Sequence, residues 1–586
     1  MGTAAAGAVV IGAAAGAKSL TPHLMVAGEK TSVPTAAQPR APRAQPTVWT
    51  VPSNWDYSAD VVVIGNGGAG LSSAIAAANG GASVLILEKA PKGLDYGNTG
   101  VSGGSCKIIT PLTDFITVVS MMSYGTTPLD VVTKYCQEAT NLPNYIKSLG
   151  GSMIPGAASN AVDAAGVPSA LYANAVSPDF SVQSWSCAVP AFSYPTKGTS
   201  VTGSAGSGKD FCAFLDSVRA SLNIPTMYQT PAKQLIQNPN TNEILGVVAT
   251  DWTGQDINVK ASKAVILACG GFENNPEMIA NFTDTPHSEF LTFYGTPYNT
   301  GDGIQMAMQV GAKLWHMKKG DVHALANKPA SVTIGAGQVS SLLGFGATGA
   351  TSYPMIYVNR FGNRFMNEYC YSGHTDDAKA YDDFTEKFTS PDGADICDWE
   401  NLPFYAIFDS KAMAAGALAG NVDYSGVHNL YTWSKDNSVE LAAGWIVTGA
   451  TPQALGAKIT SKDFFGNVVG MNANGLAATV TAWNAACAGG ADTAFGRAVS
   501  TLKPLSNPPY YAMELIECQT NTDGGPVHDI YARTLDFNNT PIPRLYSPGE
   551  LGSLWGGLYY GAGNVCESVT MGRVAGAQAA TLPSWS

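Results

Sequence analysis

The feature that most restricts the fold of this chain is a glycine-rich turn between two short apolar segments. Residues 65–70 read GNGGAG, which places three glycines in a GxGxxG spacing. The segment before the turn, Ala59–Gly65, is rich in β-branched residues and predicts a buried strand. The alanine-rich stretch Leu71–Asn79 predicts a helix, and Ala82–Glu88 predicts a second strand that ends in an acid. Strand, turn, helix, strand and acid in this order predict a βαβ unit that binds a dinucleotide.

Each part of this unit has a physical role in holding a diphosphate. Gly65 permits the tight turn, Gly67 lets the backbone approach the pyrophosphate, and Gly70 lets the helix pack closely on the strand. The N-terminus of the helix presents N–H groups and partial positive charge to the phosphates. Glu88 is placed to accept hydrogen bonds from both ribose hydroxyls of the adenosine half. The dinucleotide-binding residues predicted from this unit are Gly65, Gly67, Gly68, Ala69, Gly70 and Glu88.

The size and charge of the chain exclude several classes of protein. With 586 residues, the chain is expected to form two or more packed units. Hydrophobic residues make up 45% of it and charged residues 13%, which favours a large globular interior over disorder. The formal net charge is −12 and no basic run occurs, so a nucleic-acid-binding surface is not expected. The ten cysteines are scattered singly, which predicts buried thiols rather than a zinc or iron–sulfur site.

The N-terminal segment has some features of a leader for export. Residues 1–17 are apolar and dominated by Ala and Gly, but they are too short and too weakly hydrophobic to span a bilayer. They resemble the h-region of a secretory leader, although no charged n-region precedes them, and a Pro/Ala/Gln stretch at 33–50 follows like a linker. We therefore expect an exported, periplasmic or otherwise extracytoplasmic protein; a disordered tail on a cytoplasmic protein is the alternative. No later run of about 18 apolar residues occurs, so no transmembrane span is predicted.

The rest of the chain predicts a nucleotide-binding domain that an inserted domain interrupts. Buried strands are predicted at Lys263–Ala268, Pro354–Asn359 and Tyr510–Ile516, and a final helix is predicted at Val565–Ala580. From about residue 375 to 502 the pattern changes to mixed polar loops and short helices. The predicted parts are a leader-like segment and linker (1–56), the nucleotide-binding domain (57–350), an inserted capping or substrate domain (351–508) and the second part of the nucleotide-binding domain (509–586).

Five short segments, taken in chain order, carry a resemblance to one known family. They are Glu88-Lys89, Asn98–Gly104, Ala268–Phe272 (ACGGF), Thr300–Gly303 (TGDG) and Pro543–Glu550 (PRLYSPGE). Their sequences and order resemble the FAD-binding flavoproteins of the fumarate reductase and succinate dehydrogenase family, to which the 3-ketosteroid dehydrogenases also belong. The resemblance runs from about Asp56 to the C-terminus and weakens in the inserted region.

The resemblance implies an α/β fold with a Rossmann-type FAD-binding domain and an inserted α+β capping domain. FAD is the implied cofactor, and its binding is implied to be non-covalent, because Asn98 stands where some members attach FAD through a histidine. The final helix, opening at Asn564-Val565, is implied to point its N-terminus at the flavin. The resemblance places further cofactor contacts at Lys89, Asn98, Thr99, Ser102, Gly103, Gly104, Ala232, Ala268, Gly270, Asp302, Glu550, Asn564 and Val565.

The residues expected at the substrate differ from those of fumarate reductases, which clamp carboxylates with arginine and histidine. Tyrosines occupy the segment Gly556–Asn564 where the family carries arginine, and the segment Asn521–Gly525 replaces a stretch that contains histidine. These replacements resemble the ketosteroid dehydrogenases, which carry a tyrosine and glycine turn near the C-terminus. A phenol and a backbone N–H can hydrogen-bond a ketone oxygen and stabilise the enolate that develops there.

The predicted catalytic residues are two tyrosines and one backbone amide. Tyr560, together with the N–H of Gly563, is predicted to anchor the ketone, and Tyr371 is predicted to transfer the proton. Tyr559 and Tyr369 are the neighbours that would otherwise hold these roles. Packed aromatic residues with no catalytic role are the structural alternative.

The sequence therefore predicts an FAD-dependent oxidoreductase that interconverts a saturated and an α,β-unsaturated ketone of a hydrophobic, steroid-like kind. An exported enzyme of the fumarate reductase type, supplied with electrons by a cytochrome, is one alternative; an electron-relay protein without substrate chemistry is another. An external electron donor or acceptor, a quinone or a cytochrome, is the expected partner, and no metal is expected. The candidate walls of the substrate site, with ordinary core packing as the alternative, are Trp185, Phe192, Tyr194 and Trp555.

Overall fold

The βαβ unit predicted from the glycine turn opens the described part of the computed structural model. All described residues belong to one compact unit, Trp49–Ser586. The leader-like segment and its linker, up to residue 50, lie outside them. The residues that the structure describes are 51–155, 177, 180–188, 208–283, 291–293, 295–318, 320–327, 332–335, 353–368, 387–389, 395–418, 433–462, 467–557 and 561–585.

The strands contribute to one large mostly parallel sheet, one large mostly antiparallel sheet and several small ribbons. In chain order they are β1 (Tyr57–Ile64), β2 (Val84–Leu87), β3 (Ser105–Thr110), β4 (Ser152–Pro155), β5 (Ser181–Ala188), β6 (Thr226–Met227), β7 (Ala232–Gln237), β8 (Ile244–Thr250), β9 (Asp256–Leu267), β10 (Leu291–Phe293), β11 (Leu314–Trp315), β12 (Gly320–Asn327), β13 (Val332–Gly335), β14 (Met355–Asn359), β15 (Lys387–Thr389), β16 (Asp395–Trp399), β17 (Phe404–Asp409), β18 (Ile446–Gly449), β19 (Thr460–Lys462), β20 (Val468–Gly470), β21 (Tyr510–Thr522), β22 (Gly525–Pro526), β23 (Arg533–Leu535) and β24 (Pro541–Tyr546).

The helices lie between these strands, singly or in groups, and a short 3₁₀ helix lies at Val499–Thr501. In chain order the α-helices are α1 (Gly68–Asn79), α2 (Gly97–Val101), α3 (Leu112–Met122), α4 (Leu129–Thr140), α5 (Leu142–Ser148), α6 (Gly208–Ser221), α7 (Pro276–Phe282), α8 (Asp302–Gln309), α9 (Ser410–Met413), α10 (Ser438–Ala442), α11 (Pro452–Gly456), α12 (Ala473–Gly489) and α13 (Gly563–Ala580).

The main sheet is built around β1, whose parallel neighbours are β2 and β9. Among the described strands its order is β23-β24-β9-β1-β2-β6, and β8 and β7 extend it in antiparallel fashion from β9. Val61, Val62 and Val63 are fully buried, as expected for a strand whose two faces are both covered. The carboxyl ends of β1 and β2 lie at the same edge, which is where a parallel sheet of this kind binds its ligands.

The first and last helices, α1 and α13, pack tightly against each other. A Cβ at Gly572 or Gly576 of α13 would overlap the backbone of α1 at Ala69 or Ser73. Ser73 Oγ also donates a hydrogen bond to the carbonyl oxygen of Gly572 at 3.0 Å. The C-terminal helix therefore returns to the unit with which the described chain begins.

A second sheet contains β14 and β17, which lie inside the predicted capping segment (351–508). Among the described strands its order is β13-β12-β21-β17-β14, and β10 and β18 also pair with β21. Of these, β10, β12, β13 and β21 come from outside that segment. We propose that the capping part of the molecule extends to these four strands, because their pairing joins them to β17 in one sheet.

The strands and the helix that were predicted individually are confirmed. The predicted strands at 59–65, 82–88, 263–268, 354–359 and 510–516 correspond to β1, β2, β9, β14 and β21, and the final helix is α13. Both β9 and β21 are longer than predicted. None of the helices in the described ranges has the length and apolar character needed to cross a membrane. Among the cysteines that the structure describes, Cys106, Cys136, Cys187, Cys212 and Cys566 are buried free thiols, whereas Cys269 and Cys487 are partly exposed.

Candidate functional site

The glycine turn has the geometry that its sequence predicts. Gly65 has a φ of +104°, which side chains rarely adopt, and a Cβ there would overlap the carbonyl oxygen of Ala268. A Cβ at Gly70 would overlap the carbonyl oxygen of Gly65. The turn therefore needs glycine at the first position for its conformation and at the last position for the close packing of α1 on β1.

Glu88 follows β2 directly, and its carboxylate is bonded to the glycine turn. Its Oε2 accepts a hydrogen bond from the backbone N of Asn66 at 2.7 Å, and its Oε1 accepts one from the N of Ala90 at 2.7 Å. Burial raises the pKa of this carboxyl to about 7, against the lowering effect of these two bonds. The acid predicted to hold the ribose is thus fixed beside the turn.

A cavity runs along the carboxyl edge of the main sheet, between the glycine turn and Glu88. It is lined by residues from segments that are far apart in the sequence, including those that carry the family resemblance. The predicted cofactor residues that line it are Gly65, Gly67, Gly68, Ala69, Glu88, Lys89, Asn98, Thr99, Ala232, Ala268, Gly270, Asp302 and Glu550.

Two of the segments that carry the family resemblance contact each other at this cavity. Lys89 Nζ forms an ion pair with Asp302 Oδ2 at 2.7 Å and donates a hydrogen bond to Thr300 Oγ1 at 2.7 Å. Thr300 Oγ1 donates in turn to Asp302 Oδ1 at 2.8 Å. The two charged side chains are 24% and 36% exposed, so the ion pair adds little to the free energy of unfolding. Its effect is to hold the Glu-Lys segment against the start of α8.

Six predicted cofactor residues do not line this cavity: Gly70, Ser102, Gly103, Gly104, Asn564 and Val565. Ser102 Oγ donates to the carbonyl oxygen of Thr99 at 2.7 Å and accepts from the N of Gly104 at 3.1 Å, so it closes the end of α2. Asn564 Nδ2 donates to Asp523 Oδ1 at 3.1 Å. Contacts of these six residues with a cofactor stay predictions.

Other residues that line the cavity were not predicted from the sequence. They are Ile64, Asn66, Leu87, Ala90, Leu94, Gly97, Cys269, Thr296, Tyr298, Asn299, Met306, Pro548 and Ser568. Most of them lie inside, or within a few positions of, the glycine turn or a segment that carries the family resemblance. Including every residue of these segments and a few on either side would have found them. Asn66, inside the turn, donates from Nδ2 to Asp95 Oδ2 at 2.7 Å, which fixes the side chain of the turn.

At the cavity wall, the side chain of Asn98 forms hydrogen bonds to two acids and so bridges them. Asn98 Nδ2 donates to Glu273 Oε1 at 2.7 Å and to Glu550 Oε1 at 2.9 Å. Glu273 was also missed from the sequence. It directly follows the ACGGF segment, but its partner Asn98 lies 175 residues away, so no local pattern indicates the bridge.

Of the predicted catalytic residues, Gly563 lies within the described part of the chain. Gly563 is buried and is the first residue of α13. The candidate wall residue Trp555 is fully buried, and its ring packs edge-on against Tyr135 at 6.1 Å, so it belongs to the core. Trp185 on β5 is partly buried and packs on the same core cluster. The candidates that lie outside the described residues are Tyr369, Tyr371, Tyr559, Tyr560, Phe192 and Tyr194.

The residues around the cavity fit an FAD molecule. At Gly67 the nearest atom to an added Cβ would be the carbonyl oxygen of Tyr96 at 3.4 Å, so the fold itself leaves room for a side chain. Because Gly67 lines the cavity, such a side chain would occupy the place where the backbone approaches a pyrophosphate. Glu88, the acid predicted to bind the ribose, lies at the end of the neighbouring strand. The amide of Asn98 is hydrogen-bonded to two acids, which fits an FAD held without a covalent bond.

Residues 60–565 match the family model described as an FAD binding domain. The chain belongs to this FAD-binding family. The match begins in β1, runs through the glycine turn and ends inside α13, so it includes every residue that lines the cavity except Ser568. The predicted cofactor, FAD, and the predicted α/β fold class are confirmed, and the chain is an FAD-dependent oxidoreductase.

Relatives in this FAD-binding family align over nearly the whole chain. A probable fumarate reductase from Shewanella frigidimarina is 26% identical over 532 residues, which cover 89% of this chain and 74% of that protein. A digoxin reductase from Eggerthella lenta is 25% identical over 561 residues, covering 91% of this chain and 89% of the relative. The crystal structure of 3-ketosteroid Δ1-dehydrogenase from Sterolibacterium denitrificans with 1,4-androstadiene-3,17-dione has a TM-score of 0.69 at 21% identity, over 89% of this chain and 99% of that one. This structural likeness confirms the fold.

Proposed function

We propose that this FAD-dependent oxidoreductase acts on CH–CH bonds and interconverts a saturated ketone with its α,β-unsaturated counterpart, on a hydrophobic, steroid-like substrate. When bound, FAD would supply the hydride chemistry at the β carbon of the ketone. The residues of the chain then have two tasks. They must bind the ketone oxygen, and they must move a proton to or from the α carbon.

The observation that carries the proposal is the start of α13. Gly563 is the first residue of this helix, so its N–H has no partner within the helix, and the helix dipole adds partial positive charge there. The bond from Asn564 to Asp523 holds this end of the helix in place. In the sequence, Tyr559 and Tyr560 precede it by a short Gly561-Ala562 link. A phenol and a backbone N–H at one place can stabilise negative charge on a ketone oxygen.

The charge of Asp523 near the start of α13 favours an uncharged ketone over a dicarboxylate. Asp523 is fully buried, and its Oδ1 accepts hydrogen bonds from Asn521 Nδ2 at 3.3 Å and Asn564 Nδ2 at 3.1 Å. Asp523 lies in the segment that replaces the histidine-containing stretch of the fumarate reductases. An unsaturated dicarboxylate would meet charge of its own sign at this segment, whereas a ketone carries no charge for Asp523 to repel.

The relatives support both the main proposal and its alternative. The structure that shares this fold binds a steroid dienone. The similarity to a probable fumarate reductase and the leader-like N-terminal segment favour an exported enzyme that reduces another unsaturated acceptor with electrons from a cytochrome. In both cases we propose an external electron carrier, a quinone or a cytochrome, and an extracytoplasmic location.

The test is to offer substrates of both classes to the reduced enzyme. We expect anaerobically photoreduced enzyme to be reoxidised by 1,4-androstadiene-3,17-dione and not by fumarate, as followed by the return of flavin absorbance. Reoxidation by fumarate alone would replace the proposal with its alternative. If neither compound reoxidised the enzyme, an electron-relay function would be favoured.

The same assay tests the predicted ketone anchor. Tyr560→Phe should lower turnover of the enone by about 10²-fold or more, because the phenol no longer stabilises the developing oxyanion. FAD content should stay at the wild-type level. Tyr57→Phe, at a half-exposed position in β1, is the matched control and should turn over normally. Unchanged turnover in Tyr560→Phe would remove this residue from the site.

A further inference from the structure

Two acids and one amide meet at the wall of the FAD cavity. Asn98 comes from α2, Glu273 from the loop that follows β9, and Glu550 from the loop that follows β24. The single NH₂ group of Asn98 donates to both acids, at 2.7 Å to Glu273 Oε1 and at 2.9 Å to Glu550 Oε1. Its Oδ1 accepts from the backbone N of Thr296 at 2.9 Å, and because that N–H can only donate, the orientation of the amide is fixed.

The two carboxyls approach the same small space. A Cβ added to Gly271 would lie 2.8 Å from Glu273 Oε2 and 3.1 Å from Glu550 Oε1. Glu273 is fully buried and Glu550 is 8% exposed. Glycine at 271 leaves room for both acids, and they converge where water is largely excluded.

Like charge surrounds this pair. The charged groups that raise the pKa of Glu550 are Glu273 and Asp523, and both are acids. The polar groups that act on Glu273 are the neutral side chains of Asn98, Asn299 and Thr522. Burial, the largest cause in each case, raises the pKa of Glu273 to about 7 and that of Glu550 well above its usual range. Two such carboxyls cannot both be charged at neutral pH, so the pair holds at least one proton.

The position of the pair connects this proton to the cofactor. Asn98 and Glu550 line the FAD cavity, and Glu273 is hydrogen-bonded to Asn98. Adding electrons to FAD adds negative charge to the cavity, and this charge acts on the pair at the cavity wall through the protein interior. The interaction is strong because the effective dielectric constant there is low.

We propose that Glu273 is a positioning residue for flavin redox chemistry: when the bound FAD is reduced, the Glu273/Glu550 pair takes up one proton from solvent and so sets how the reduction potential depends on pH. Two electrons come from an external reductant and the flavin takes up one proton, so that one unit of negative charge remains in the cavity. The pair takes up a separate proton from solvent. An O–H bond forms on its charged carboxylate, no bond breaks there, and this proton offsets the extra negative charge in the cavity. The inference depends on FAD binding alone and not on the ketone substrate proposed above.

The direction of the effect follows from the charge of the pair. Well below pH 7 the pair is already protonated in the oxidised protein, so reduction adds no proton to it. Above about pH 7 Glu273 is charged before reduction and takes up a proton on reduction. Each proton taken up with two electrons changes the potential by about 30 mV per pH unit. The wild-type potential should therefore fall more steeply above pH 7 than that of a variant without this carboxyl.

The experiment compares the holoenzyme with Glu273→Gln, which keeps an acceptor for Asn98 but cannot titrate. Midpoint potentials are measured from pH 6 to pH 8.5 by titration with dithionite in the presence of redox dyes. The two proteins should agree at pH 6, and above pH 7 the wild-type slope should be steeper by about 30 mV per pH unit. Glu440→Gln, the same change at a fully buried acid in α10, should behave like the wild type. Parallel curves for wild type and Glu273→Gln would overturn the proposal.

A second measurement needs no variant. Infrared difference spectra of wild-type holoenzyme, reduced minus oxidised at pH 8, should show a new carbonyl stretch from a protonated carboxyl. The band should be missing from Glu273→Gln if that protein retains FAD. If the wild-type spectrum gained no carboxyl band, the proposal would be wrong whatever the fate of the variant. Failure of the enzyme to act on steroid enones would leave both measurements valid.

Discussion

Glu88 is a buried acid at the cavity whose charge can change near neutral pH. Burial raises its pKa to about 7 in the protein alone. Ribose hydroxyls that donate hydrogen bonds to the carboxylate would favour its charged form and so lower this pKa when FAD binds. Binding then releases a proton from the fraction of molecules in which Glu88 is protonated. The affinity for FAD should accordingly be greatest above pH 7 and fall, by at most tenfold per pH unit, as the pH drops below it.

This prediction is checked by FAD release on dilution. Recovery of flavin fluorescence from dilute holoenzyme at several pH values between 5.5 and 8.5 gives the dissociation constant. In Glu88→Gln we expect affinity at pH 8 to fall by about 10- to 100-fold, since a hydrogen bond to a charged group contributes about 1.5–3 kcal/mol. Its pH dependence below 7 should also flatten. Glu277→Gln, at an exposed position in α7, is the control. A Glu88→Gln protein with the wild-type pH dependence would show that Glu88 does not bind the ribose.

The packing of helix α13 on helix α1 depends on residues without side chains. A Cβ at Gly576 would overlap the carbonyl oxygen of Ser73, and neither helix backbone can move without displacing its neighbours. Gly576→Ala should therefore lower the free energy of unfolding by about 1–3 kcal/mol, the usual effect of overpacking. Urea unfolding followed by circular dichroism measures the change.

A matched substitution separates this packing effect from helix propensity. Gly489 lies at the end of α12, and a Cβ there would meet no atom within 4 Å. Gly489→Ala should leave stability unchanged or raise it by up to about 1 kcal/mol, because alanine reduces the entropy of the unfolded chain. Equal losses in the two variants would mean that the contact between α1 and α13 is not what requires glycine at 576.

The elements that the sequence predicted are those whose signal is local. β1, α1 and β2 follow from apolar runs around a glycine turn, and α13 follows from an uninterrupted helical stretch, rich in small residues, near the C-terminus. The membership of the second sheet could not be predicted, because β10 and β12 join β21 across about 200 residues and no local pattern encodes that pairing. The same limit applies to the site. Gly65, Gly70 and Glu88 belong to one motif, whereas Glu273 reaches its place only through the fold.

At the scale of the whole molecule, a buried ion cluster stabilises the part around the second sheet. Glu368 accepts two hydrogen bonds from Arg364, each at 2.8 Å, and forms an ion pair with Arg497 at 3.3 Å. Arg364 also pairs with Asp492 at 3.0 Å. The guanidinium groups of Arg364 and Arg497 lie over the ring of Trp483, at 4.6 and 4.7 Å from its centroid. The cluster connects α12 to the segment that follows β14, far from the glycine turn in sequence.

Removing one cation should show whether this part unfolds independently. Arg497→Met leaves Glu368 buried with less compensation, which should cost about 3–5 kcal/mol. If the capping part is a cooperative unit of its own, tryptophan fluorescence should report a lower urea midpoint, while FAD release keeps the wild-type midpoint. Lys233→Met, which breaks an exposed ion pair with Asp256, should shift neither signal. A common shift of both signals in Arg497→Met would show that the FAD-binding and capping parts unfold as one, because loss of the cluster would then be transmitted through the whole structure.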